Sequence, residues 1–168
     1  MRMWTAVLVA GCAMAAVTAA GQQKSAEEQR EFHSWENTVA HPAAIPAEAL
    51  AALAKDEAVR AELTKTKLAA EKLPADWFLA SEIHLTDGGT LLVVEAGPRM
   101  HNEYEAQFWV FDRTEHGYAM VLDEVGRVLT VGKGEGHPGI RVEKEHYHIY
   151  PSTSYRWKDG HYATVIVK

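Results

Sequence analysis

The sequence predicts an α+β fold, with N-terminal helices packed on a largely antiparallel β-sheet. Three observations carry this expectation. Residues 46–74 are alanine-rich, with helix start and stop signals at either end. From Trp77 onward, short runs of β-branched and aromatic residues alternate with Gly, Asp and Asn. The gaps between those runs leave no room for helical crossovers, so neighbouring strands must pair antiparallel.

Taken in order, the chain opens with an export signal over residues 1–20. Arg2 supplies the positive charge, and Trp4 to Ala20 is apolar and uncharged. Val17-Thr18-Ala19 and Thr18-Ala19-Ala20 place small residues where signal peptidase cuts. The apolar run is short for a membrane span and meets Gly21-Gln22-Gln23-Lys24 at once. Val9-Ala10-Gly11-Cys12 offers an alternative: a lipobox whose acylated cysteine becomes the mature N-terminus and ties the protein to a membrane. Without lipidation the expected location is the periplasm or the exterior. The mature chain then has no cysteine, hence neither a disulfide nor a thiolate metal site.

Residues 21–44 read as a polar arm with Phe32, Trp35 and Val39 as its apolar anchors, and residues 45–168 as a single domain. Pro46 ahead of Ala47-Glu48-Ala49 starts a helix. At about 100° per residue, Leu50, Leu53, Ala54 and Ala61 share one face while Val59 and Leu63 lie opposite. A kink near Asp56, or a second helix capped by Asp56, would give each piece one buried face. Pro74 ends the helical region. Strands are expected near 77–85, 90–96, 106–113, 117–123, 127–132, 139–149, 152–158 and 161–167, with Asp159-Gly160 as the tightest hairpin turn. Twelve of the fifteen aromatic residues lie between Trp77 and Tyr162, which locates the core there. Phe108-Trp109-Val110-Phe111 is apolar on both faces, the pattern of a central, covered strand with Trp109 in the core.

Several landmarks resemble a group of exported bacterial proteins without an assigned activity. They are Ile45-Pro46, Leu73-Pro74-Ala75-Asp76-Trp77-Phe78, Phe108-Trp109-Val110-Phe111, Gly117-Tyr118, Gly136-His137-Pro138-Gly139-Ile140 and Tyr155-Arg156-Trp157-Lys158-Asp159-Gly160. The resemblance spans residues 45–168 and rests on strand aromatics and turn residues. Gly139, where the group carries an aspartate, and Lys158, an insertion before the turn, depart from its pattern. It implies export and brings no functional residues.

Charge excludes nucleic acid as a partner: 17 Lys and Arg face 23 Asp and Glu, the net charge is −6, and no basic block appears. The most specific polar cluster is Glu143-Lys144-Glu145-His146-Tyr147-His148. On a strand, His146 and His148 share a face, a spacing at which two imidazoles reach one zinc ion. His161 is the expected third ligand, with His137 and His101 as others. The competing reading places a bulge near Lys144-Glu145, turns Tyr147 and Ile149 inward and leaves both histidines in solvent. Asp112, Glu115, Asp123 and Glu124 cluster around turns, where solvation explains them. Ser152, Thr153 and Ser154 lack a Gly-x-Ser-x-Gly elbow. Gly132-Lys133-Gly134-Glu135-Gly136 lacks the Lys-Ser/Thr of a phosphate loop and reads as a hairpin tip. The leading expectation is therefore an exported, non-catalytic accessory domain without a cofactor, binding a protein or cell-envelope component. The alternative is a metal-binding protein or metal-dependent enzyme built on His146, His148 and His161.

Overall fold

A computed structural model describes residues 29–102, 104–145 and 149–165. The expected signal segment, with Cys12, and the histidines His146 and His148 lie outside the described residues.

The architecture corrects the α+β expectation. Over the described residues the protein is mostly β, built from two antiparallel sheets with only two short α-helices. The strands are β1 (Glu31–His33), β2 (Phe78–His84), β3 (Thr90–Ala96), β4 (Ala106–Thr114), β5 (Gly117–Gly126), β6 (Val128–Val131), β7 (Ile140–Glu143), β8 (Ser152–Lys158) and β9 (His161–Thr164). The helices are α1 (Ala47–Leu53) and α2 (Glu57–Thr66). One sheet has the order β2-β3-β4-β5 and the other β1-β6-β7-β8-β9. Strands β2 to β9 thus form a meander, broken between β5 and β6, with β1 filling the free edge of β6.

The helical layer fails to form for local reasons. Asp56 ends the first helical piece and starts the second: its side chain accepts hydrogen bonds from the N–H groups of Ala58 and Val59. Lys67, at φ 57°, ends α2 in the left-handed conformation, well short of Pro74. Two pieces of 7 and 10 residues cannot cover a sheet. They bury only Ala49, Leu53, Val59 and Leu63, and α1 lies against β5.

The break in the meander follows from one residue. A Cβ on Gly126 would collide with the Val142 side chain and stand 2.8 Å from the Glu143 carbonyl oxygen. Only glycine lets the chain pass this close, and it is here that β5 leaves its sheet to become β6. Arg127, at the corner, donates its N–H to Glu143 O at 2.7 Å and accepts from Ser34 N at 2.9 Å.

One core serves both sheets. Phe108, Trp109, Val110 and Phe111 are each 0% exposed, as their two-faced apolar pattern predicts. Trp109 meets Phe78 edge to face, with ring centroids 5.7 Å apart. Alternation along β5 sends Asp123 toward Asp56, at the start of α2, and Glu124 toward Lys144, which follows β7 of the other sheet. Two further differences stand out. Glu31–His33, within the stretch expected as an arm, pairs with β6 through Phe32↔Leu129 and buries Phe32 to 1%. Ile149, expected to turn inward, is 66% exposed, while Ile140 and Val142 are buried.

Candidate functional site

Antiparallel connections sort to two ends of the molecule. The segment after β1, the β3–β4 connection, the β5–β6 corner and the β7–β8 connection gather at one end. Bonds between them hold that end together: Ser34 Oγ donates to Tyr104 O at 2.9 Å, and Glu145 N to Glu105 Oε1 at 3.0 Å. Among the described residues the exposed large hydrophobic ones, Trp35, Tyr104, Val125, Ile149 and Tyr150, all fall here. Scattered single apolar residues need no explanation, but five on one end mark a surface with a use.

The aromatic side chains are stacked in order. The His33 ring lies on Trp35 at 4.5 Å and 7°. The Arg127 guanidinium stands 4.8 Å from the Trp35 ring and 4.7 Å from the Tyr150 ring, and Nη1 lies 3.4 Å from Glu145 Oε2. A cation between two aromatic faces gains from both quadrupoles and fixes both rings. His33 anchors the far end: Nε2 is 2.7 Å from Glu31 Oε1 and Nδ1 is 3.1 Å from Glu36 Oε1. Burial works against its charged form, but the bonds to Glu36 and Glu31 prevail and hold the imidazole above its ordinary range. The result is a rigid ladder, His33–Trp35–Arg127–Tyr150, whose outer rim is open to solvent.

Beneath this surface lies an isolated acid. Glu95, near the end of β3, is 2% exposed, and its Oε1 has no hydrogen-bond partner among the described residues. Ser81, diagonal to it across the β2–β3 pair, also buries a hydroxyl that has no hydrogen-bond partner among the described residues. Burial, and then the charge of Glu36, raise the Glu95 carboxyl to about 8, so it is protonated at neutral pH.

Of the set His146, His148 and His161 expected to hold a metal, only His161 is described. It opens β9 on the exposed side of the Asp159-Gly160 turn, with Nδ1 3.4 Å from Asp159 O. Strand β8 runs between that turn and Pro151, a length of roughly 20 Å. His101 belongs to the aromatic end, in the β3–β4 connection. His137 belongs to the opposite one, stacked on Trp157 at 3.6 Å with Nε2 3.2 Å from Asp112 Oδ1. Among the described residues no three His, Cys, Asp or Glu side chains gather to hold a metal ion. Asp123, read as a solvated turn acid, instead sits on β5, its carboxyl raised by burial and by Asp56.

Sequence reasoning placed Trp35 as an anchor and passed over Arg127 and Glu95. Arg127 reaches Trp35 only through the β1–β6 pairing, which leaves no local pattern. Glu95 did leave one: it is the single charge in the apolar run Leu91–Ala96. Comparison with protein-family models, with curated proteins and with solved structures finds no match.

Proposed function

We propose that this protein is a non-catalytic binding domain that acts outside the cytoplasm and holds a protein or cell-envelope partner through its aromatic end. The observation that carries the reading is the gathering of Trp35, Tyr104, Val125, Ile149 and Tyr150 on one end. Stacked aromatics and an arginine fixed between them are the residue types that anchor interfaces, because they bring large contact area at small cost in conformational entropy. Export is supported by Arg2 and the apolar run Trp4–Ala20, and by the resemblance to exported proteins. Lipidation at Cys12 would add a membrane tether. The net charge of −6 argues against nucleic acid as the partner.

The test is affinity capture from the envelope fraction of the source cell. The bait is the mature chain, whose N-terminus should read near Ala20 or Gly21 on sequencing. Trp35→Ala/Tyr150→Ala should lose at least about tenfold of the captured partner, the scale of one or two interface anchors. Glu115→Gln, at the opposite end, should capture as wild type. Equal capture by the double variant would sink the reading, and a chain that keeps Met1 would sink its export.

A further inference from the structure

The outward face of the five-stranded sheet carries a depression of about 370 Å³ over β6, β7 and β8. The size falls within the ~300–1,000 Å³ typical of small-molecule sites. Strand pairing explains why it exists. Ile140 and Tyr155 pair across β7 and β8 and are buried, so by alternation Arg141, Ser154 and Arg156 point outward. Thr130, Arg141 and Ser154 form one row across the three strands. The next row runs from Arg156 to Gly139 and Gly132, for the β7–β8 register continues by one residue and Gly132 N donates to Gly139 O at 2.8 Å. Two successive positions without a side chain leave the space beside Arg156 open.

The charge of the lining is one-sided: Arg141 and Arg156 contribute to it, and no carboxylate does. The acids nearest in the sheet are already engaged. Glu143 Oε1 lies 3.0 Å from Arg141 Nη2, and Glu31 Oε1 lies 2.7 Å from His33 Nε2. Glu143 steadies one amino group of Arg141 and leaves its side chain 52% exposed. Arg156 is exposed and makes no ion pair or hydrogen bond among the described residues. Ser154, opposite Arg141 and two residues before Arg156, is exposed and brings a hydroxyl donor. A cation entering here meets like charge, and a neutral ligand leaves two guanidinium groups unanswered.

Arg141 and Arg156 are diagonal neighbours on paired strands, a placement that sets side chains roughly 7–8 Å apart. Both long side chains can therefore close on one anion from two sides, each offering a fork of N–H donors. A phosphate monoester carries about −1.5 to −2 charges at neutral pH, which two guanidinium groups match; a carboxylate answers only one of them. We infer that this depression binds a phosphate group, held by Arg141, Arg156 and the Ser154 hydroxyl over the Gly132–Gly139 floor. The site goes beyond the proposed partner surface, lying on the flank of the sheet and sharing no residue with the ladder. Such a phosphate can arrive on a small soluble ester or as a lipid headgroup.

The experiment is calorimetric titration of the full mature chain at an ionic strength of about 20 mM, where screening is weak. The soluble probes are inorganic phosphate, glycerol 3-phosphate, acetate and putrescine. Co-sedimentation with phosphatidylcholine vesicles, plain or containing about one-fifth phosphatidic acid, tests the headgroup. Saturable binding of a soluble phosphate with Kd below about 5 mM, at least about fivefold tighter than acetate, would assign the free ester. Sedimentation that requires phosphatidic acid, without soluble binding, would assign the headgroup. In the arm that binds, Arg141→Ala and Arg156→Ala should each weaken the complex by at least about fivefold. Gly139→Leu keeps every charge and fills the floor, and should weaken it as much. Its Cβ would stand 3.5 Å from Tyr155 O, an ordinary contact that the fold tolerates. Trp35→Ala/Tyr150→Ala should bind phosphate as wild type, and Arg156→Ala should capture the protein or envelope partner as wild type. Binding in neither arm, acetate or putrescine as tight as phosphate, or wild-type affinity in Gly139→Leu would each overturn the assignment.

Discussion

Glu95 is the residue that the rest of the molecule accommodates at a cost. It stands on β3 between Val94 and Ala96, both 0% exposed, with a carboxyl oxygen that meets no partner among the described residues. Burial and the Glu36 charge raise its carboxyl from 4.5 to about 8. The sign of the linkage follows. Below about 4.5 the acid is protonated in both native and unfolded chains, and native stability is undiminished. As pH rises toward about 8, the unfolded chain releases a proton that the native chain keeps, and stability falls until the native acid ionises too. Glu95→Gln keeps the shape and removes the titration. The variant should match wild type near pH 4 and exceed it at pH 9 by a few kcal/mol, about 5 at most, from ~1.4 kcal/mol per unit of pH over the rise from 4.5 to about 8. Urea unfolding across that range measures the gap, and a constant difference between the two proteins would refute the buried, protonated acid. The residue was visible in the sequence as the lone charge in an apolar strand. Its isolation was not, since that depends on distant parts of the chain, Glu36 among them, coming together around β3.

The elements divide into those whose signals are local and those whose partners are distant. Every strand from Phe78 onward lies within or close to an expected run, because turn residues such as Asp159-Gly160 and Asp87-Gly88 sit between alternating apolar residues. Strand β1 has three residues in a polar stretch and forms only against β6, nearly a hundred positions away, so nothing local announces it. Asp56 was legible as a cap because the apolar stripe changes side there. Its second role was not legible, since Asp123 comes to it across the packing of α1 on β5. These two roles oppose each other and can be separated by pH. Burial and Asp56 raise the Asp123 carboxyl from 3.8 to about 6, so at pH 5 Asp123 is largely protonated and at pH 8 two carboxylates face each other. Asp56→Ala loses a cap worth ~1 kcal/mol at either pH. At pH 8 it also relieves the repulsion, so the net loss should be smaller there than at pH 5. Denaturant unfolding at the two pH values reads the difference, and equal losses would show that the two carboxyls do not interact.

At the scale of the whole molecule, two sheets share one core and one backbone hinge. Strand β5 ends at Gly126 in the first sheet, and β6 starts two residues later in the second. Trp109, Phe108 and Phe111 of β4 belong to the same buried cluster as Leu129, Val131, Ile140 and Val142 of the five-stranded sheet. The sequence marked these strands as apolar yet held no sign that they belong to two sheets, because Gly126 reads as an ordinary turn glycine until Val142 and Glu143 are packed against it. A shared core makes the two sheets depend on each other, because the buried residues of both belong to one cluster. Damage in one should therefore unfold both in a single transition. Trp109 offers the sharpest test, being 0% exposed and paired with Val94 and Asp123 deep in the four-stranded sheet. Trp109→Ala opens a cavity that neighbouring side chains refill only in part, and should cost ~3–5 kcal/mol. Far-UV circular dichroism follows all strands together, and fluorescence, read in a background carrying Trp35→Phe and Trp77→Phe so that Trp157 of β8 is the emitter, follows the five-stranded sheet. The two signals should shift to lower urea by the same amount and remain superimposed. A five-stranded sheet that keeps its wild-type midpoint while the dichroism falls earlier would divide the core in two.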